Sequence, residues 1–205
     1  GIENFKELID KDACYVDKTN LIEKVLKEKV VLYTRPRRFG KTLNMSMLYY
    51  FFSNKEKENA YLFDGLNISK NKEALKHQNQ YPVIFISLKD MKESKIENQL
   101  VKFSYIIARL LDQFEDILDD DIFNEREKKL LKRYHLNTAS KNELSESLLT
   151  ISLCLRKYYH QKVIILIDEY DVPLQAAYQH NYYDEMVEFL RNVFSSSLKT
   201  NDALE

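Results

Sequence analysis

A β-branched apolar run, Val30-Val31-Leu32-Tyr33-Thr34, leads through Arg35-Pro36-Arg37-Arg38-Phe39 into Gly40-Lys41-Thr42, and from there into Leu43-Asn44-Met45-Ser46-Met47-Leu48-Tyr49-Tyr50-Phe51-Phe52. The run over 29–34 reads as a buried strand, and 43–52, apolar nearly all round, as a helix packed under a sheet. A strand, a tight loop ending in Gly-Lys-Thr and a helix make a phosphate cradle. Backbone N–H groups at the helix start face the anion, and the helix dipole favours it. In such a loop Lys41 reaches the β- and γ-phosphates, Thr42 offers its hydroxyl to magnesium, and Gly40 lets the backbone approach without a Cβ. The chain has only three glycines in 205 residues, and one of them sits here. The candidate nucleotide-binding residues are therefore Arg35, Pro36, Arg37, Arg38, Phe39, Gly40, Lys41, Thr42 and Leu43. The full pattern opens on a further glycine, and Arg35 stands in that place. Arg37 and Arg38 either touch nucleotide or pair with acidic groups elsewhere.

A second segment, Val163-Ile164-Ile165-Leu166-Ile167-Asp168-Glu169, is a buried strand ending in two carboxylates. Burying carboxylates at a strand end is costly without a metal or hydrogen-bond donors. Asp168 fits a magnesium-side carboxylate, and Glu169 a general base that polarises the attacking water. With Lys41, Glu169 is the candidate catalytic residue; with Thr42, Asp168 is the candidate metal ligand. Asp171 either lines the same site or caps the following turn. Arg191, among apolar residues on the last helix, reads first as a surface arginine whose stem covers the helix, and second as an arginine finger. The four histidines are scattered and form no constellation.

Charge is balanced, 31 basic against 32 acidic residues. No global field draws a polyanion, so any such contact needs a local patch. Cys14 and Cys154 lack metal-ligand spacing and read as free, buried or half-buried thiols. No apolar run approaches the roughly 20 residues of a membrane helix, and the N-terminus carries no signal peptide. A cytoplasmic chain without membrane contact is the expectation.

Further elements follow from periodicity. A short helix or an irregular lead-in is expected at 4–11, short helices at 20–28 (capped by Asp17 or Thr19) and at 70–80, and a loop at 53–60. A second strand is expected at 82–88 and a third at 162–167. Longer helices are expected at 94–118, at 124–134, from a Ser140/Glu143 capping box to about 159, and at 182–198. Asp119-Asp120-Asp121 reads as a solvated break, and Pro173 as the stop to any continuation after the third strand. Strands alternating with helices predict an α/β fold with a parallel sheet covered on both faces. Three strands are few for such a sheet, and the chain ends where another is expected. It therefore reads as the N-terminal part of a longer protein.

Tyr15-Val16-Asp17-Lys18-Thr19, Thr34-Arg35-Pro36-Arg37-Arg38-Phe39-Gly40-Lys41-Thr42, Ile167-Asp168-Glu169-Tyr170-Asp171-Val172-Pro173-Leu174 and Phe189-Leu190-Arg191-Asn192 together resemble the AAA-ATPase-like family of bacterial and archaeal proteins. The resemblance covers residues 1–205, and in that family the missing first glycine is normal. It implies a P-loop NTPase three-layer sandwich of the additional-strand type, here truncated before a sensor strand. It also implies that Tyr15 to Lys18 lie near the adenine or ribose, with Tyr15 and Asp17 as nucleotide-binding candidates. Family members commonly continue into a PD-(D/E)XK nuclease-like domain, which makes DNA a partner to test; oligomers stay open. The expected ligands are ATP and Mg2+. The expected function is a magnesium-dependent ATPase acting as a conformational switch, and the alternative is a non-hydrolysing nucleotide-binding regulatory module. A kinase on the same loop is disfavoured because nothing resembles a lid or an acceptor site.

Overall fold

The computed structural model describes residues 1–27 and 40–198. The strand expected at 29–34 and the loop positions Arg35, Pro36, Arg37, Arg38 and Phe39 lie outside the described residues. The chain divides into two compact units, Gly1–Val83 with Gln161–Leu166, and Ile84–His160 with Ile167 onward.

The first unit is organised on helix α3 (Lys41–Phe52), whose residues from Asn44 to Leu48, with Phe51 and Phe52, are buried. Helix α1 (Phe5–Asp10) packs on it. Asn4 caps α1 by accepting from Glu7 N at 3.0 Å, and Phe5 N donates to the Ser46 hydroxyl at 2.9 Å. The rings of Phe5 and Phe51 lie 5.1 and 5.2 Å from that of Phe63. Stretch 53–60, expected as a loop, instead feeds a 3₁₀ helix, Lys57–Phe63, that carries Leu62 and Phe63 into this core. Helix α2 (Asn20–Leu26) buries only Ile22 of its apolar residues. Helix α4 (Lys72–Leu75) is a single turn within the expected 70–80 helix.

The carboxyl end of α3 would leave orphan carbonyls. Here Asn79 N donates to Phe51 O at 2.7 Å and Tyr81 N to Phe52 O at 3.0 Å. The Asn79 side chain donates to Tyr50 O at 3.0 Å and Ser53 O at 2.8 Å. Asn79 is 4 % exposed and adopts a left-handed φ of 55° to do this. Asparagine tolerates that region better than most residues.

Strands β1 (Val83–Ser87) and β2 (Ile164–Asp168) form a two-stranded sheet. Ile164 N donates to Pro82 O at 3.1 Å and Leu88 N to Asp168 O at 3.0 Å. Both pairings advance together along the chain, so the strands run parallel. The described architecture is thus α/β, with helices far outnumbering strands.

The second unit is mostly helical. Helix α5 (Ile96–Asp112) packs on α6 (Glu125–His135) and α7 (Lys141–Ser145). Helix α10 (Tyr183–Leu198) packs on α7, on α8 (Ser147–Tyr159) and on α9 (Asp171–Gln179). Phe103 and Phe189 meet edge to face at 5.3 Å. Capping boxes open α6 at Asn124/Glu127 and α7 at Ser140/Glu143. The second box was expected to start one long helix, but Glu146 leaves helical geometry (φ −103°, ψ 4°) and divides it into α7 and α8. Pro173 also departs from expectation. It sits buried in the first turn of α9, where a missing N–H costs nothing, so it helps to start a helix. Cys154 is buried and donates to Glu127 at 3.9 Å, whereas Cys14 is exposed. Burial, reinforced by the Glu127 charge, pushes the Cys154 thiol up to about 12.

Phe51 is fully buried between Phe52 and Phe63. Phe51→Ala is expected to cost about 3–5 kcal/mol in denaturant unfolding. A loss below about 1 kcal/mol would mean that these rings are not the core of the first unit.

Candidate functional site

Gly40 is the N-cap of α3 and has a φ of 73°. That left-handed conformation explains glycine at this position. Asn44 N donates to its carbonyl at 2.9 Å, so the helix begins at once. Lys41, Thr42 and Leu43 follow in the first turn, each half-buried. First-turn N–H groups have no intrahelical acceptors, which gives this turn its anion-binding chemistry.

The segment before α2 is tied down by its own polar groups. Asp17 Oδ1 accepts from Thr19 N at 2.9 Å and from the Thr19 hydroxyl at 2.6 Å. Asp17 Oδ2 accepts from Asn67 N at 2.7 Å. The Thr19 hydroxyl in turn accepts from Ile68 N at 3.1 Å, and Thr19 is fully buried. Thr19 stands at the N-cap of α2 but makes no capping bond with its side chain. The expected cap is therefore a bracket that joins 17–19 to 67–68. Burial alone would raise the Asp17 carboxyl. The Thr19 and Asn67 donors and the Lys70 charge outweigh it and hold the group below its ordinary value. Tyr15 is half-buried, with its ring edge 5.5 Å from Phe5 and its hydroxyl accepting from Lys18 N at 3.2 Å. Lys18, which the resemblance places with Tyr15 near the adenine or ribose, reaches the N-cap of α3: a methyl group built on Gly40 would lie 3.8 Å from Lys18 Nζ.

In the second unit, β2 ends at Asp168, which is 1 % exposed. Its Oδ1 accepts from Glu169 N at 2.9 Å. Its Oδ2 has no hydrogen-bond partner among the described residues. A buried carboxylate oxygen without a donor is costly, and a cation is the usual compensation. Glu169 is half-buried and held at a φ of 56°. Non-glycine residues in that region carry strain, which concentrates at functional sites. Val172 N donates to Glu169 O at 3.2 Å, and α9 begins directly after this turn. Asp171 is the first residue of α9, and its carboxylate accepts from Gln175 at 3.0 Å.

Magnesium keeps several waters and phosphate oxygens and needs only one or two protein oxygens. Asp168, a buried aspartate whose second oxygen has no partner among the described residues, is one group of that kind. Among the described residues no group of three His, Cys, Asp or Glu could hold a metal by itself. The Asp119-Asp120-Asp121 turn is occupied locally: Asp120 accepts from Ile122 N and Asp121 pairs with Lys128 at 3.1 Å. Arg191 is exposed, as the surface reading has it. No helix of the described residues is long and apolar enough to cross a membrane.

A family model described as "Predicted AAA-ATPase" matches residues 1–205. No curated protein and no solved structure matches the chain.

Two outcomes test this geometry. Asp17 has a lowered carboxyl, so its stabilisation is complete above the unfolded value near pH 4 and disappears as pH falls through the folded one. Asp17→Asn is therefore expected to lose on the order of 1–3 kcal/mol at pH 7. That gap should close below about pH 4; a gap that stays constant down to pH 2.5 would refute the bracket. At position 169, Glu169→Gly is expected to unfold about 1 kcal/mol later than Glu169→Ala, since only glycine takes positive φ without strain. Equal stabilities would show that the turn relaxes.

Proposed function

Since the chain belongs to the AAA-ATPase-like family, we propose that it binds ATP and hydrolyses it with magnesium, using the bond cleavage to switch conformation. The observation that carries this reading is Asp168, a buried carboxylate at the end of a parallel strand with one oxygen that has no partner among the described residues. Ligands of open α/β sheets bind beyond the carboxyl ends of the strands. The left-handed Gly40 before Lys41-Thr42 is the complementary support.

In this reading the fold is a P-loop NTPase sandwich. Gly40 and the first-turn N–H groups of α3 bind the β-phosphate, and Lys41 binds the β- and γ-phosphates. Arg35, Pro36, Arg37, Arg38 and Phe39, which lie outside the described residues, are further candidates for nucleotide contact, as is Leu43. The Thr42 hydroxyl and the Asp168 carboxylate would hold magnesium, which would supply charge neutralisation at the phosphates. Glu169 accepts a proton from the attacking water and orients it in line with the γ-phosphate. Tyr15 is the side chain offered to the nucleoside. Asp17 has both oxygens engaged by Thr19 and Asn67, so it contributes by holding this segment in shape.

Thermal or denaturant unfolding with and without Mg-ATP tests the reading. ATP at 100 times its dissociation constant is expected to add about 2.7 kcal/mol. Lys41→Ala should abolish the shift. Glu169→Gln should keep it while phosphate release falls roughly 10²- to 10⁴-fold. A shift that survives Lys41→Ala would overturn the assignment of the phosphate loop. A wild-type shift without phosphate release would leave a nucleotide-binding module that does not hydrolyse.

A further inference from the structure

The geometry points to Lys18 as a second phosphate-binding lysine, a role that rests on the nucleotide reading above. Three observations meet at this side chain. A methyl group on Gly40 would lie 3.8 Å from Lys18 Nζ, so the ammonium stands beside the residue that opens α3. That position already carries the partial positive charge of a helix start and, one residue on, Lys41. Among the described residues no carboxylate lies within ion-pair distance of Lys18. The nearest carboxylate in sequence, Asp17, accepts from Thr19 on one oxygen and Asn67 on the other.

An ammonium beside a helix start faces the positive end of the helix dipole, and an anion between them relieves the repulsion. An isolated lysine in solvent would turn away, because its stem is long and its rotamers are many. Lys18 is instead half-buried, in a segment whose backbone is fixed on both sides. Tyr15 accepts from Lys18 N, and the Asp17–Thr19 bracket anchors the next residues to 67–68. The bracket thus acts through Lys18: it delivers an ammonium to the cap of α3 from a different part of the chain. The ligand chemistry is a phosphate chain and not a base or ribose, since the groups at this point are cationic and backbone N–H donors. Lys18 therefore reads the number of phosphates, while Tyr15 remains on the nucleoside side.

Binding of adenosine, AMP, ADP, ATP and inorganic tripolyphosphate to the full chain, with Lys18→Ala, Lys18→Arg and Lys41→Ala beside wild type, decides the matter. Loss of one charge-assisted contact corresponds to roughly a ten- to hundredfold weaker affinity. Lys18→Ala is expected to weaken ATP and tripolyphosphate by that factor and leave adenosine unchanged, and Lys18→Arg to recover most of it. Ligand-free melting should stay at the wild-type value, which separates the role from a structural one. Equal weakening of adenosine and ATP would overturn the inference in favour of a nucleoside contact. A drop in ligand-free melting shared by Ala and Arg variants would overturn it in favour of packing. Wild-type binding that is lost in Lys41→Ala and untouched in Lys18→Ala would overturn it and leave the nucleotide reading intact. Wild type that binds neither ATP nor tripolyphosphate would overturn both.

Discussion

A carboxylate that is 1 % exposed, with one oxygen lacking a partner among the described residues, is the constraint around which the end of β2 is built. Everything near Asp168 limits where its charge can go. Leu88 N ties its carbonyl to the neighbouring strand, and Glu169 N takes its first oxygen. The chain then turns through a left-handed glutamate into α9. A fold assembled for stability alone would place an apolar side chain or a hydrogen-bonded one at this point. The cost is intelligible if the second oxygen is reserved for a ligand.

The first unit manages the opposite charge. Its central helix has both ends determined by side chains distant in sequence. At the carboxyl end, Asn79 and Tyr81 satisfy three successive carbonyls from Tyr50 to Phe52. At the amino end, Gly40 supplies the cap conformation and Lys18 stands over it. The helix is thus anchored by its apolar body and its carboxyl end. Its first turn, Lys41 to Leu43, stays half-buried. Such a division suits an element whose start has to accommodate a ligand without disturbing the core.

Much of this was legible in the sequence. The helices expected at 94–118 and 182–198 are found as 96–112 and 183–198, and the Ser140 start follows from its capping box. Helix α9 was missed because Pro173 looked like a terminator, when its place in the first turn makes it compatible with a helix. The Glu146 break was missed because no glycine or proline marks it. At the site, Gly40 and Asp168 could be picked out because a lone glycine and a carboxylate after an apolar strand are unusual. That the Lys18 ammonium meets the cap of α3 could not, because the resemblance places Tyr15 to Lys18 only near the adenine or ribose. Nor could the double engagement of Asp17, which depends on a backbone N–H fifty positions downstream at Asn67.

The contrast between the two cysteines gives the chain an observer of its own. A thiol reacts as its thiolate, and Cys154, buried and pushed up to about 12, stays protonated near neutrality. Cys14 is open to solvent and immediately precedes Tyr15. A maleimide dye or spin label would therefore attach selectively at one native position without any engineered residue. It would sit at the mouth of the 15–19 segment, where its emission or mobility would register rearrangement of that segment in real time.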